Sequence, residues 1–157
     1  MRRVNLREAE PRPDDRREQP EGFRMSMARL GGEVGAERTG ATLYELPPGQ
    51  AVCPYHYEYG EEEWALVVEG RPSARTPEGT EQLEPLDLVF FPRGPDGAHQ
   101  IRNDSAETAR VLIWSDVVIP TATVYPDSDK IGIWTGNRDD DMLAPRSAGV
   151  EYFEGEG

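Results

Sequence analysis

Two histidines occur in the 157-residue chain, and each lies in a segment that reads as built to hold a metal ion. His56 stands in PYHYEYGEEEWALVVEG, with Glu58 two positions on and Glu61, Glu62 and Glu63 beyond it. His99 stands in FFPRGPDGAHQIRN. Imidazole and carboxylate together form the donor set of first-row divalent ions, so the chemistry to expect is that of one bound Mn, Fe, Zn or Ni ion. A carboxylate left off the metal would be placed to act as a general base. Side chains alternate along an extended chain. In a strand over 51–58, His56 and Glu58 share one face with Val52 and Pro54, and Cys53, Tyr55 and Tyr57 share the other. A turn over 59–61 then reverses the chain, and Glu63 faces His56 across the hairpin, with Glu62 as the competing register. Cys53 is read as a small core residue rather than a ligand. Tyr55, Tyr57 and Tyr59 are read as outer-face or interface residues.

Strands must position these groups. Between Phe23 and about Thr135, short runs rich in Val, Ile, Leu, Tyr, Phe and Trp recur between clusters of Gly, Pro and Asp. That spacing predicts an all-β barrel or sandwich, and no stretch holds a helical period long enough for a substantial helix. The reading divides the chain into a flexible N-terminal arm over 1–22, a barrel domain over 23–136 and an acidic tail over 137–157. The arm mixes arginine, acid and proline without apolar periodicity. In the tail, Tyr152 and Phe153 are the residues able to dock elsewhere. Arg93 and Arg102 are expected to pair with surface acids, and TVYPDSDKIG to turn between two strands.

Charge and composition exclude several classes. Thirty acidic against seventeen basic residues give a formal charge of −13, which disfavours nucleic acid and anionic membrane surfaces as partners. The single cysteine excludes an intramolecular disulfide, and the N-terminus lacks the apolar stretch of a secretory signal, so a cytoplasmic location is expected. No apolar run approaches the roughly 18 residues needed to span a bilayer.

The residues around both histidines resemble the two motifs of the cupin superfamily. The first runs Gly, five residues, His, one residue, His, three or four residues, Glu, six residues, Gly. Here Gly49, His56, Glu58, Glu63 and Gly70 follow that order, with one added residue before His56 and Glu58 in the second histidine position. The second motif is matched by Pro92, Gly94, His99 and Asn103. Leu86 replaces its first glycine, and four residues instead of two precede His99. The chain is similar to small single-domain bacterial members of the superfamily. The resemblance implies a double-stranded β-helix, the cupin jelly roll, and a homodimer. It also implies a metal held by His56, Glu58, Glu63 and His99.

If Glu58 ligates, the site of two neutral imidazoles, two carboxylates and a divalent ion is neutral. If it does not, His56, Glu63 and His99 form a two-histidine, one-carboxylate set with open positions, and Glu58 or Glu62 is free to move protons as the catalytic group. The function expected is a metal-dependent oxygenase or isomerase acting on a small polar organic substrate. The alternative is a non-catalytic binding or sensing module using the same pocket.

Overall fold

The computed structural model describes residues 1–14 and 18–157; residues 15–17 of the arm read over 1–22 lie outside the described residues. In chain order the elements are β1 (Arg12–Pro13), β2 (Ser26–Arg29), the short helix α1 (Leu30–Val34), β3 (Thr39–Leu46), β4 (Tyr57–Glu58), β5 (Glu63–Glu69), β6 (Ser73–Thr76) and β7 (Gly79–Gln82). There follow β8 (Leu88–Phe91), β9 (Gln100–Arg102), β10 (Ala109–Asp116), β11 (Thr121–Tyr125), β12 (Lys130–Trp134) and β13 (Met142–Pro145). They form a six-stranded sheet ordered β1-β2-β3-β10-β5-β8, a four-stranded sheet ordered β13-β12-β11-β4 and a three-stranded sheet ordered β7-β6-β9. The pairings are antiparallel. This is an all-β jelly roll. No helix among the described residues is long and apolar enough to cross a membrane.

The core follows from alternation along the strands. Ala65 and Val67 of β5, Val111 and Ile113 of β10, and Leu46 of β3 point inward and meet Ala74 of β6 and Ile101 of β9. The six-stranded and three-stranded sheets therefore close over one apolar interior. On the outer face of the six-stranded sheet, Leu43 is also fully buried, because Val4, Leu6 and Ala9 of the N-terminal arm pack over it with Val68 and Leu112. Arg110 holds the arm there, donating from Nη2 to the carbonyls of Leu6 and Ala9 at 3.1 and 3.3 Å. The outer face not covered by the arm carries Trp64, Trp114 and Phe90, with Trp64 stacked on Trp114 and tilted against Phe90. At the other end of the chain, β13 pairs with β12, whereas Tyr152 and Phe153 beyond it are exposed.

Two expectations about the strands need correction. The segment 51–58 is not one continuous strand: it is bent over 52–55, and only Tyr57 and Glu58 form a strand, paired with β11. Isolated bridges join Ala51 to Arg102 and His56 to His99, so five residue steps on one side oppose three on the other. Pro54, which has no N–H to donate, sits within this bulge. The chain also does not reverse at 59–62 into a hairpin. Residues 59–62 carry it from the four-stranded sheet into the six-stranded sheet, where β5 pairs with β8 and β10.

Motif positions have clear backbone roles. Gly49, Gly70 and Gly94 have φ values of 77°, 78° and 79°. Leu86, which stands where the family motif has glycine, keeps the same left-handed turn at φ 77° and donates its amide to the Val67 carbonyl at 2.8 Å. Asn103 is fully buried. Its Nδ2 donates to the Leu46 and Glu107 carbonyls, both at 2.7 Å, while its Oδ1 accepts from the Ser105 amide and hydroxyl.

Candidate functional site

His56 and His99 meet as backbone bridge partners, His56 N–H to His99 O at 3.1 Å and the reverse at 2.8 Å, with ring centroids 4.7 Å apart. Both are buried, at 7% and 4% exposure. Each ring is anchored in the same way. Nδ1 of His56 lies 3.0 Å from the Pro54 carbonyl, and Nδ1 of His99 lies 2.9 Å from the Gly97 carbonyl. A carbonyl only accepts, so both Nδ1 atoms carry hydrogen, and Nε2 of the neutral His56 ring is a bare lone pair. The loop before His99 makes its contact possible by close packing: a Cβ at Gly97 would fall 1.7 Å from the Pro92 carbonyl oxygen. Both motif insertions are absorbed just before the histidines, one in the 52–55 bulge and the other in the turn Pro95–Gly97.

Glu63 enters from β5 in the opposite sheet, and its Oε1 stands 3.0 Å from His99 Nε2. Nδ1 of His99 is taken up by the Gly97 carbonyl, so Nε2 is the nitrogen that meets Glu63, across a shared proton or a cation. Phe91 stacks on His99 with centroids 3.7 Å apart and planes 8° from parallel, fixing the ring from behind. Burial first, and then the neighbouring His99, lowers the His56 pKa to about 4, which keeps this imidazole neutral and available as a ligand.

Glu58 is placed differently. Its Oε1 accepts from the Thr123 hydroxyl at 3.4 Å, and Thr123 Oγ1 accepts from Trp134 Nε1 at 2.8 Å. Burial, then the Glu61 and Glu63 charges and a hydrogen bond with Glu61, pushes its pKa up to about 9. Glu58 therefore carries a proton at neutral pH. Glu61 is also raised, first by burial, while Glu58 and the Val118 amide hydrogen-bond to it and oppose the rise. Glu62 is exposed, and its backbone amide donates to Asp116 Oδ1 at 2.7 Å. It does not join the site.

Residues outside the expected set border the histidines. Cys53, expected on the opposite face, lies with Sγ 3.4 Å from His56 Nδ1, because the bulge breaks the alternation that would have turned it away. Burial, then Glu63 and Glu58, raises its thiol pKa. The Tyr44 phenol on β3 is raised by burial and then by Cys53 and Glu63. Tyr125 stacks against His56 with centroids 6.1 Å apart. Tyr55 and Tyr57, read as outer-face residues, are buried in a cluster with Ala98 and Val124. Arg93 and Arg102 pair with Asp116 and Asp104, both at 2.7 Å.

The donor types, two imidazoles and one carboxylate contributed from two sheets, are those a divalent ion takes. Among the described residues, no group of three or more His, Cys, Asp or Glu side chains is placed closely enough to hold a metal ion as it stands.

Residues 42–115 match the model of the family described as Cupin domain. The chain is a small cupin-fold protein. No curated protein matches the chain significantly. Among solved structures, a cupin-superfamily sugar phosphate isomerase from Silicibacter pomeroyi superposes with a TM-score of 0.81 at 22% identity, covering 98% of each chain. A candidate sugar phosphate isomerase from Acidithiobacillus ferrooxidans gives 0.76 at 25% identity, over 83% of this chain and 81% of that one. A polyketide cyclase from Streptomyces resistomycificus gives 0.59 at 26% identity, over 74% and 79%. In this cupin the histidine-to-glutamate change at position 58 coincides with the buried carboxyl that pairs with Glu61.

Proposed function

We propose that this cupin holds one divalent metal ion on His56, Glu63 and His99 and isomerises a small polar organic substrate by proton transfer. The observation that carries the reading is the pair of adjacent imidazoles, each held by an Nδ1 bond to a backbone carbonyl two residues earlier, with His99 Nε2 facing Glu63. Metal-binding histidines are characteristically oriented by such a bond from the other ring nitrogen.

When bound, the ion supplies Lewis-acid polarisation of a substrate oxygen. Glu58 and its hydrogen-bonded partner Glu61 form the proton-transfer pair: the protonated Glu58 carboxyl gives its proton to the substrate carbonyl oxygen while Glu61 takes the proton from the adjacent carbon, and return of these protons to the neighbouring carbon and to Glu58 completes the isomerisation. Thr123, itself held by Trp134, orients the Glu58 carboxyl. Phe91 and the backbone carbonyls keep the imidazoles from rotating. The name sugar phosphate isomerase, borne by one structural neighbour and assigned as a candidate name to another, favours isomerisation over oxygenation. We place the protein in solution as a homodimer, with the uncovered Trp64, Phe90 and Trp114 face as the surface available for pairing.

The test is solvent proton exchange. Aldose and ketose substrates incubated in D2O with Mn²⁺-supplied protein should gain deuterium beside the carbonyl, and Glu58→Gln should abolish the gain with metal retained. Dioxygen consumption without deuterium incorporation would replace isomerisation by oxygenation. A second reading, a binding module without metal, is favoured by the lack of a closed cage among the described residues. Saturable ligand binding that is indifferent to chelator and without turnover would support it.

A further inference from the structure

We infer that Lys130 is the anchor for an anionic end, phosphate or carboxylate, of the small polyhydroxy substrate handled at the histidine pair. The inference deepens the function proposed above and rests on it for the location of the reacting end.

Lys130 is the only lysine in a chain with formal charge −13. It begins β12 directly opposite Tyr125, the last residue of β11, and is half-buried. Its Nζ stands 5.8 Å from the centroid of the Tyr125 ring. The same ring lies 6.1 Å from the His56 imidazole at an interplanar angle of 24°. The ammonium is therefore no farther from the imidazole than the sum of these two spans, which a phosphorylated or carboxylated five- or six-carbon sugar can bridge.

The neighbouring cations are already neutralised. Arg75 grips Asp127 through two hydrogen bonds of 2.6 and 2.9 Å while its guanidinium covers the Tyr55 ring. Arg146 pairs with Asp129 at 3.7 Å. Both carboxylates belong to the turn joining β11 and β12, so the hairpin neutralises the two guanidiniums that reach it. Lys130 makes no ion pair with a carboxylate among the described residues. A cation held over an aromatic ring and left without a counter-ion, in so acidic a chain, is a place for a ligand's negative charge. Its flexible stem lets the ammonium follow ligands of slightly different length.

The test uses the full-length protein and its Lys130→Gln and Lys130→Arg variants. Ribose 5-phosphate, ribonate and ribose are titrated calorimetrically, with metal content and Tm measured on the same samples. Wild type should bind at least one of the two anions about tenfold more tightly than ribose. Lys130→Gln should erase that preference, and Lys130→Arg should restore most of it, with Tm and metal content unchanged in both. Which anion is preferred separates phosphate from carboxylate. Equal preference in wild type and Lys130→Gln, or no preference for either anion in wild type, overturns the assignment. If the metal reading alone fails, the preparations lack metal while the lysine-dependent preference persists.

Discussion

The two halves of the site use buried carboxyl groups in opposite ways. In the histidine half, Glu63 faces His99 Nε2 and burial holds His56 neutral beside them. In the other half, Glu58 sits against Glu61 and Thr123, and burial together with like charge holds a proton on it. The contrast arises from placement. Glu63 comes from the six-stranded sheet to meet a ring anchored on the loop before β9, whereas Glu58 belongs to β4 and bonds within the four-stranded sheet. On the proposed reading one half receives a cation and the other stores a proton, although both are glutamates within one six-residue stretch.

The largest test of this contrast removes one partner from each half. His99→Ala should weaken metal binding by about a hundredfold or more, while Glu58→Gln leaves it nearly intact; competition with a fluorescent chelator reads both. Equal losses would mean that Glu58 is a ligand and that the division is wrong. The next effect is on stability against pH in metal-stripped protein. A carboxyl whose folded pKa is raised from 4.5 to about 9 contributes stability that is complete below the ordinary value and is lost as pH rises toward 9. Glu58→Gln should therefore be more stable than wild type at pH 9, by on the order of a few kcal/mol, with the gain shrinking as pH falls toward 4.5. Urea melts across that range measure it. The opposite trend would place the proton elsewhere.

A smaller effect sharpens the comparison by loosening only the carboxyl half. Thr123→Val removes the hydroxyl between Trp134 and Glu58 and should cost about 1 kcal/mol, seen in chemical denaturation, with metal affinity unchanged. Smallest is a change that touches neither half. Leu86→Gly should raise stability by about 0.5–1 kcal/mol, because leucine at φ 77° bears a steric cost that glycine does not. Its Tm should rise while metal affinity and pH dependence stay at wild-type values.

Much of the barrel was legible in the sequence because strand alternation and turn residues act locally. Gly49, Gly70 and Gly94 mark left-handed turns, Asn103 closes a loop, and YPDSDK joins two strands as its composition predicts. The meeting of His56 with His99 was legible from the motifs despite two insertions. The route of Glu63 was not, since a turn signal at 59–62 cannot tell reversal within one sheet from passage into another. Cys53 was misplaced because alternation fails across a bulge, and only the pairing of Ala51 with Arg102 and His56 with His99 reveals that bulge. The burial of Tyr55 and Tyr57 depends on Ala98 and Val124, distant in sequence and invisible to any local pattern.

On the proposed reading two imidazoles and one carboxylate from opposite sheets share a divalent ion. Elemental analysis of protein expressed with Mn, Fe, Ni and Zn supplied is the decisive measurement. Close to one ion per chain is expected in wild type and almost none in His99→Ala of the same folded yield. Metal-free wild type under those conditions, or full occupancy in His99→Ala, rules the shared ion out.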